Sequence, residues 1–412
     1  MAEPRAAIIF DCLFPATTGG GERVYRRIAE EFVQRHIVVD YLTRDLGDVP
    51  TPGFTVVPVW NGDIYDESGA RTTSSALYFA RGVYRHLRAY RGEYDIVVAS
   101  ALPVLTVLAA ALALRGSRSF LVVDWLEVWT LRKWRSYSGA LTGSLAFLLQ
   151  VAGARVGDLH TVNSTFTARR LQRHRRGAAP VVLGLVDLVD PAPAAAMSPS
   201  PSGETPDRVA RAAVIPEESD QGDVAAGGLA PFLLFVGRHI ADKRIDTLPA
   251  ALAELHRSRP DVTLVVAGSG PETARLEAAV RRAGVGDSVH LVGRVSDERL
   301  AELTSSAAVL VNPSAREGFG LVVAEAAAYG TPSIVVAGED NAAVDLIVEG
   351  VNGFVAASVE PAELARAVAR ALDGGEALRG STAAWFARER VSRSLAVSVD
   401  EILARHRAAL GD

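Results

Sequence analysis

Short runs of aliphatic and β-branched residues recur along the 412-residue chain, separated by stretches of helical periodicity. In the first half, runs at 6–10, 37–41, 95–99, 120–123, 159–162 and 180–183 predict strands. In the second half, 232–236, 263–267, 289–292, 308–311, 333–336 and 353–355 do the same. These runs are mainly apolar rather than strictly alternating, the pattern of strands buried on both faces, and the helices between them imply parallel sheets. The expected class is therefore α/β, with two doubly wound, Rossmann-like domains facing across a cleft. Ligands are expected beyond the carboxyl ends of the strands.

The periodicity stops at 191–230, where Pro, Ala, Ser, Gly and acidic residues dominate and little can be buried. That segment reads as a linker or surface insertion between domains at 1–190 and 231–385. The most apolar region, 96–114, is broken by Ser100 and Pro103. It reads better as a buried strand ending near Ala99, followed by a helix with Pro103 in its first turn, than as a membrane span.

Composition narrows the picture. There are 43 Lys and Arg against 48 Asp and Glu, a formal charge of −5. This argues against a nucleic-acid partner held through backbone phosphates. The single cysteine, Cys12, excludes an internal disulfide framework and a multi-cysteine metal site. At the amino end an acid and a proline precede a short apolar run, unlike a secretory signal, so a cytoplasmic protein is expected.

The richest segment is 315–332, where Glu317 and Glu325 stand eight positions apart around Gly318-Phe319-Gly320. The Ala-rich stretch from Leu321 predicts a helix, stopped by Gly330-Thr331-Pro332. Its amino end beside a glycine turn is a seat for phosphate. Eight residues at helical rise span about 12 Å, enough for two carboxylates to reach hydroxyls on either side of a bound diphosphate. An ordinary surface-helix glutamate is the plainer reading. Upstream, Gly237 ends an apolar run, and Arg238 and Lys243 follow five positions apart. Two such cations suit a diphosphate, or equally a solvated basic loop. Gly268-Ser269-Gly270 follows the next run, but Thr273 stands where a dinucleotide fingerprint needs its third glycine. A turn near a nucleotide fits better than a nicotinamide site. Gly293-Arg294-Val295 closes a further strand and offers backbone groups to a nucleobase, or simply leads to the helix capped by Ser296.

In the first half, Gly19-Gly20-Gly21 precedes an amphipathic helix from about Glu22 and allows close approach to the backbone. The segment 122–139 interleaves Trp125, Trp129, Trp134 and Tyr137 with Asp124, Glu127, Arg132, Lys133 and Arg135. Such mixtures line pockets for sugars or polar rings, rest on a membrane surface, or simply pack. Asp124, Glu127, Trp129 and Trp134 are the candidates for binding a second substrate. The Thr-rich stretch 160–167 reads as a helix cap.

Together these segments resemble glycosyltransferase family 4, the retaining GT-B transferases that use nucleotide-diphosphate sugars. The similarity covers nearly the whole chain outside the linker. It is most specific where the GR-x4-K, AGSGP, HLVGRVSDERLAEL and E-x7-E segments occur in the family's order. The resemblance implies a donor sugar held mainly by the second domain and a C-terminal helix, about 386–410 within the final 386–412 segment, crossing back to the first. It implies catalytic roles for Arg238, Lys243 and Glu317. Arg238 and Lys243 would hold the diphosphate, Glu317 the donor-sugar hydroxyls and Glu325 the ribose. Backbone at Gly318, Phe319, Gly320 and Leu321, with Gly268, Gly293, Arg294 and Val295, would complete the donor site, and Gly20 and Gly21 would approach from the first domain. It further implies no metal and no cofactor, transfer with retention, and a small-molecule or lipid-linked acceptor. The Ala-, Arg- and Gly-rich composition together with Leu126 suits a specialised-metabolite acceptor, and the aromatic segment 122–139 allows a weak peripheral membrane contact. Related sequences often carry histidine where this chain has Leu126, and their Asn-Gly-x-Asp stretch is Gly184-Leu185-Val186-Asp187 here. A GT-B sugar-nucleotide epimerase or hydrolase, or an impaired nucleotide-sugar-binding protein, are the alternatives.

Overall fold

The computed structural model describes residues 3–17, 19–47, 49–51, 53–64, 72–188 and 231–411. The expected linker at 191–230 lies outside the described residues. The chain divides into two compact units, Met1–Leu188 with Arg390–Asp412, and Val189–Glu389.

The first unit is built on a seven-stranded parallel sheet of order β3-β2-β1-β4-β5-β6-β7. Its strands are β1 (Arg5–Ile9), β2 (Val38–Arg44), β3 (Thr55–Trp60), β4 (Ile96–Ser100), β5 (Phe120–Trp125), β6 (Leu159–Val162) and β7 (Val181–Val182). β4 and β5 are buried at every position, because helices cover both faces. The apolar-run reading misses β3. Pro58 interrupts its sequence, and proline is tolerated because β3 lies at the sheet edge, where one side of the ladder needs no donor. The region 96–114 resolves into β4 and a short helix, α3 (Val104–Ala113), with Pro103 at the N-cap. No described helix is long and apolar enough to cross a membrane.

Helix α1 (Gly20–Gln34) buries Val24, Tyr25, Ile28 and Phe32. Helix α2 (Thr73–Ala89) buries Phe79, Val83 and Leu87 in a core shared with Ile9, Val97 and Trp125. Each such side chain contributes about 1.5–3 kcal/mol by leaving water. α4 (Leu131–Ser138) and α5 (Ala140–Gly153) form a tight helical hairpin, and α6 (Thr165–Gln172) starts at Ser164, whose hydroxyl accepts from the Thr167 amide.

The second unit carries a six-stranded parallel sheet, order β10-β9-β8-β11-β13-β15. Its strands are β8 (Phe232–Val236), β9 (Thr263–Ala267), β10 (Val289–Gly293), β11 (Val309–Asn312), β13 (Ser333–Val336) and β15 (Gly353–Ala356). β12 (Arg316–Glu317) and β14 (Asp340–Asn341) add a two-residue ladder too short to read from sequence. The flanking helices are α7 (Leu248–Leu255), α8 (Thr273–Ala283), α9 (Asp297–Ser306) and α10 (Leu321–Ala328).

The carboxyl-terminal region departs from the single helix expected at 386–410. Helix α11 runs Pro361–Ser392 with a break at Gly375, and α12 (Leu395–Leu410) begins afresh. The physical reason is Ser394, whose extended backbone and side-chain cap on the Val397 amide restart the helix. The Ser398 hydroxyl accepts from the Gly184 amide at 2.7 Å, Asp187 accepts from the Leu395 amide at 2.8 Å, and Arg35 pairs with Asp400 at 2.7 Å.

A Cβ at Gly82 would lie 2.1 Å from the Val59 carbonyl oxygen, so α2 seats against β3 only because position 82 has no side chain. Gly82→Ala is expected to lower stability by roughly 1–3 kcal/mol, against the gain of some tenths usual for Gly→Ala in a helix. Urea unfolding checks this, and an unchanged or raised midpoint contradicts it.

Candidate functional site

In the six-stranded sheet the order reverses between β8 and β11, so the loops leaving their carboxyl ends diverge and open a crevice. The β8 loop makes a short turn, Ala241–Lys243, and the Lys243 ammonium donates to Oε1 of Glu317 on β12. The same oxygen accepts from Asn312 Nδ2 at 3.1 Å and from Ser314 Oγ at 2.9 Å. A cation from one strand end thus meets a carboxylate from the next, both largely shielded from solvent.

Arg244 holds these loops together. Its backbone is left-handed (φ 48°), and its guanidinium donates to the carbonyls of Pro313 at 2.7 Å and Ser314 at 3.0 Å. Asn341 Nδ2 adds bonds to the carbonyls of Ser314 at 3.2 Å and Val336 at 2.8 Å. The Ala315 amide donates to the Asp242 carbonyl at 2.7 Å. Sequence reasoning missed Arg244, Asn312, Ser314 and Asn341. The signal available was the polar Asn-Pro-Ser that closes the otherwise apolar β11, and an arginine adjoining Lys243.

The neighbouring loops are joined through backbone. The Gly237 amide bonds to the Ala267 carbonyl at 3.0 Å, Gly268 to Gly293 at 2.7 Å, and His239 to Ser269 at 2.9 Å. Gly268 has φ 131°, and a Cβ there would fall 1.9 Å from the Gly237 oxygen, so only glycine fits. Arg238 and Arg294 are exposed, Val295 is half-buried, and His239 between the loops is buried with Nδ1 2.8 Å from Thr273 Oγ1. Burial lowers the His239 pKa.

The turn after β12 ends at Gly320, which has φ 96° and precedes α10 without a side-chain cap. Phe319 is buried, and Gly318 lies in the turn. The first-turn amides of α10 from Leu321 onward, with the helix dipole behind them, form a positive seat. One expectation is corrected here. Glu317 lies on a strand and α10 begins four residues later, so the path to Glu325 is strand, turn and barely one helical turn. The 12 Å estimate for eight helical residues therefore does not describe it. Glu325 is half-buried on α10 and engaged in interactions of its own.

In the first unit the strand order reverses between β1 and β4. α1 begins at Gly20, and a Cβ on Gly21 would lie 3.2 Å from the Leu126 side chain and 3.4 Å from Phe10. Gly20, Gly21 and Leu126 are therefore local neighbours. Asp124 requires a correction as a pocket-lining residue. It is fully buried on β5, with Tyr25 OH donating to Oδ2 and Thr161 Oγ1 donating to Oδ1, each at 2.5 Å. Burial pushes its pKa up to about 6, against the two hydrogen bonds. Trp125 is buried too, donating from Nε1 to His160 Nδ1 at 3.0 Å.

The remaining aromatics form one cluster. Trp129 meets Trp134 at 4.7 Å between ring centres and Tyr137 edge-on at 5.2 Å. Gln150 of α5 accepts from the Trp129 amide at 2.9 Å and from Trp134 Nε1 at 3.0 Å, and Trp129 Nε1 donates to Glu127.

The two Rossmann-like units and their strand orders constitute the GT-B fold. The similarities to known proteins agree. Sucrose-phosphate synthase from Thermosynechococcus elongatus superposes with TM-score 0.74 at 21% identity, over 99% of this chain and 100% of that one. Anabaena HepE in complex with UDP and glucose gives TM-score 0.67 at 17% identity, over 99% and 100%. Residues 218–382 match the family described as Glycosyl transferases group 1. Alpha-D-kanosaminyltransferase of Streptomyces kanamyceticus is 35% identical over 146 residues, 35% of this chain and 37% of that protein. D-inositol 3-phosphate glycosyltransferase 2 of Catenulispora acidiphila is 40% identical over 153 residues, 35% of each. The chain thus spans little more than a third of the length of these two relatives.

Because the folded pKa of Asp124 is raised, the folded state holds its proton more tightly than the unfolded chain. The resulting stability is present below the ordinary carboxylate pKa and lost as pH rises through about 6. Asp124→Asn is expected to flatten the slope of stability against pH between about 4 and 6, by at most about 1.4 kcal/mol per pH unit. Urea midpoints of both proteins across that range test this, and parallel curves contradict it.

Proposed function

We propose that this protein is a retaining glycosyltransferase of family 4 that moves a sugar from a nucleotide-diphosphate sugar to a small-molecule or lipid-linked acceptor. The observation that carries the reading is the meeting of Lys243 and Glu317 in the crevice between β8 and β11, beside an uncapped helix start. A diphosphate entering there takes Lys243 as a cation partner, joined by the exposed Arg238, while the α10 amides receive phosphate oxygens. Glu317, already an acceptor for neutral donors from Asn312 and Ser314, accepts from sugar hydroxyls in the same manner. Glu325, farther along α10, serves the ribose, and the joined loops at Gly268 and Gly293–Val295 bound the base.

In the proposed chemistry the bond from the anomeric carbon to the diphosphate oxygen breaks as the acceptor oxygen attacks from the same face. The acceptor proton passes to the departing diphosphate. Negative charge grows on the leaving oxygen, and Lys243 and Arg238 stabilise it more strongly in the transition state than in the ground state. In the first unit, Trp129 and Trp134 offer flat faces to the acceptor, with Glu127 beside them. The Glycosyl transferases group 1 match over 218–382 supports the donor half of this reading.

A second reading, a nucleotide-sugar-binding protein of impaired activity, is favoured by one observation. Leu126 lies against Gly21 where related sequences often place histidine, so an apolar side chain replaces a hydrogen-bonding one.

Thermal unfolding with UDP-, GDP- and dTDP-sugars tests both. Protection with nucleotide release only on adding acceptor selects the transferase, protection without turnover selects the second reading, and no protection rejects both. Arg238→Ala and Lys243→Ala are each expected to lower kcat at least about tenfold, or ~1.4 kcal/mol of barrier, with melting near that of wild type. Unchanged turnover in both refutes the assignment. Alanine at Trp129 and Trp134 together is expected to raise acceptor KM, and an unaltered value removes them from the acceptor site.

A further inference from the structure

Helix α5 shows an apolar face that none of the described residues covers. Leu141, Leu145 and Leu148 are 88%, 58% and 63% exposed, and Ala152 continues the same stripe at helical spacing. The opposite face is consumed. Gly143 passes so close to α4 that a Cβ would lie 2.3 Å from the Trp134 carbonyl, Gln150 holds the tryptophan pair, and Phe147 meets His174 edge-on at 5.4 Å. Tyr137 of α4, 59% exposed, extends the apolar face. From Ser136 to Ala154 the chain has no charged residue. Three outward leucines on one short helix exceed the scattered apolar exposure of an ordinary surface.

The charge around this face runs against the whole protein. Between Val128 and Val186 stand nine Lys or Arg residues and one acid, Asp158, in a chain of net charge −5. On one side α4 carries Arg132, Lys133 and Arg135. On the other, Arg155, Arg169, Arg173 and Arg176 are exposed after α5 and along or just beyond α6. Arg173 and Arg155, after burial, depress the pKa of His174, which touches Phe147, so these cations border the leucine helix.

We propose that the α4–α5 hairpin is the seat of an anionic phospholipid surface. Leu141, Leu145, Leu148 and Tyr137 enter the headgroup boundary while the flanking arginines and lysine contact lipid phosphates. An apolar stripe bordered by cations is the pattern of a helix lying in that boundary. A second copy of the chain fits less well, because a two-fold contact through this patch would set one basic border against another. The inference is independent of the transferase reading, since it uses neither the β8–β11 crevice nor the reaction.

The test is co-sedimentation of the full chain with phosphatidylcholine vesicles and with vesicles containing roughly 30% phosphatidylglycerol, at about 0.05 M and about 0.5 M salt. Binding is expected on the anionic vesicles at low salt, falling with salt, and absent on the neutral ones. The combined variant Leu141→Ser, Leu145→Ser, Leu148→Ser is expected to weaken binding by at least about tenfold with unchanged circular dichroism. A second combined variant, Arg132→Gln, Lys133→Gln, Arg135→Gln, keeps the leucines and is expected to weaken binding while reducing its salt dependence. Three results overturn the proposal. These are failure to bind anionic vesicles, equal binding by the leucine variant, and a lipid-free dimer that the leucine variant dissolves.

Discussion

A single carboxylate oxygen, Oε1 of Glu317, organises the carboxyl edge of the second sheet. It accepts from Lys243 on the β8 loop and from Asn312 and Ser314 at the end of β11, tying together the loops that leave two adjacent strands. Arg244 and Asn341 fix the carbonyls beneath it, so the arrangement rests on a frame of polar bonds rather than on packing alone. A partly shielded ion pair of this kind contributes little net stability, because desolvation offsets the attraction. Its consequence is positional. The cation and the acceptor are held ready in a crevice where charge-assisted bonds to a ligand are strong.

The first unit uses the same architecture differently. Its strand order also reverses, but the carboxylate on β5, Asp124, is drawn inward and satisfied by Tyr25 and Thr161. Its buried position raises its pKa and ties its protonation to folding rather than to a ligand. What this unit shows outward is apolar and basic. The tryptophan pair pinned by Gln150 adjoins a helix whose leucines face solvent. One short hairpin thus carries both the candidate acceptor contacts and the candidate lipid contacts. The two uses are compatible, because Gln150 and the leucines occupy opposite faces of α5.

Much of the fold was legible because parallel strands covered on both faces leave uninterrupted apolar runs. β8, β9 and β13 match the expected runs at both ends. β3 was not legible. Its proline looks like a breaker, and only an edge position, which is a property of the whole sheet, makes it acceptable. The two-residue ladder of β12 and β14 has no periodicity to read. The expected C-terminal helix was broken by Ser394, a cap residue whose effect depends on the local backbone turning extended.

The sequence by itself determined the α/β class, the strand-end positions of Arg238, Lys243, Glu317 and Gly320, and the excess of cations between Val128 and Val186. These follow from local composition and spacing, which act within a few residues. Only the tertiary structure decided that Lys243 and Glu317 are partners, because 74 residues separate them and the pairing of β8 with β11 sets the loops that carry them side by side. It also decided that Asp124 turns into the core while Leu141, Leu145 and Leu148 do not. Side-chain fate depends on which neighbouring element arrives to cover it, and that is settled by the assembled layers rather than by the residue.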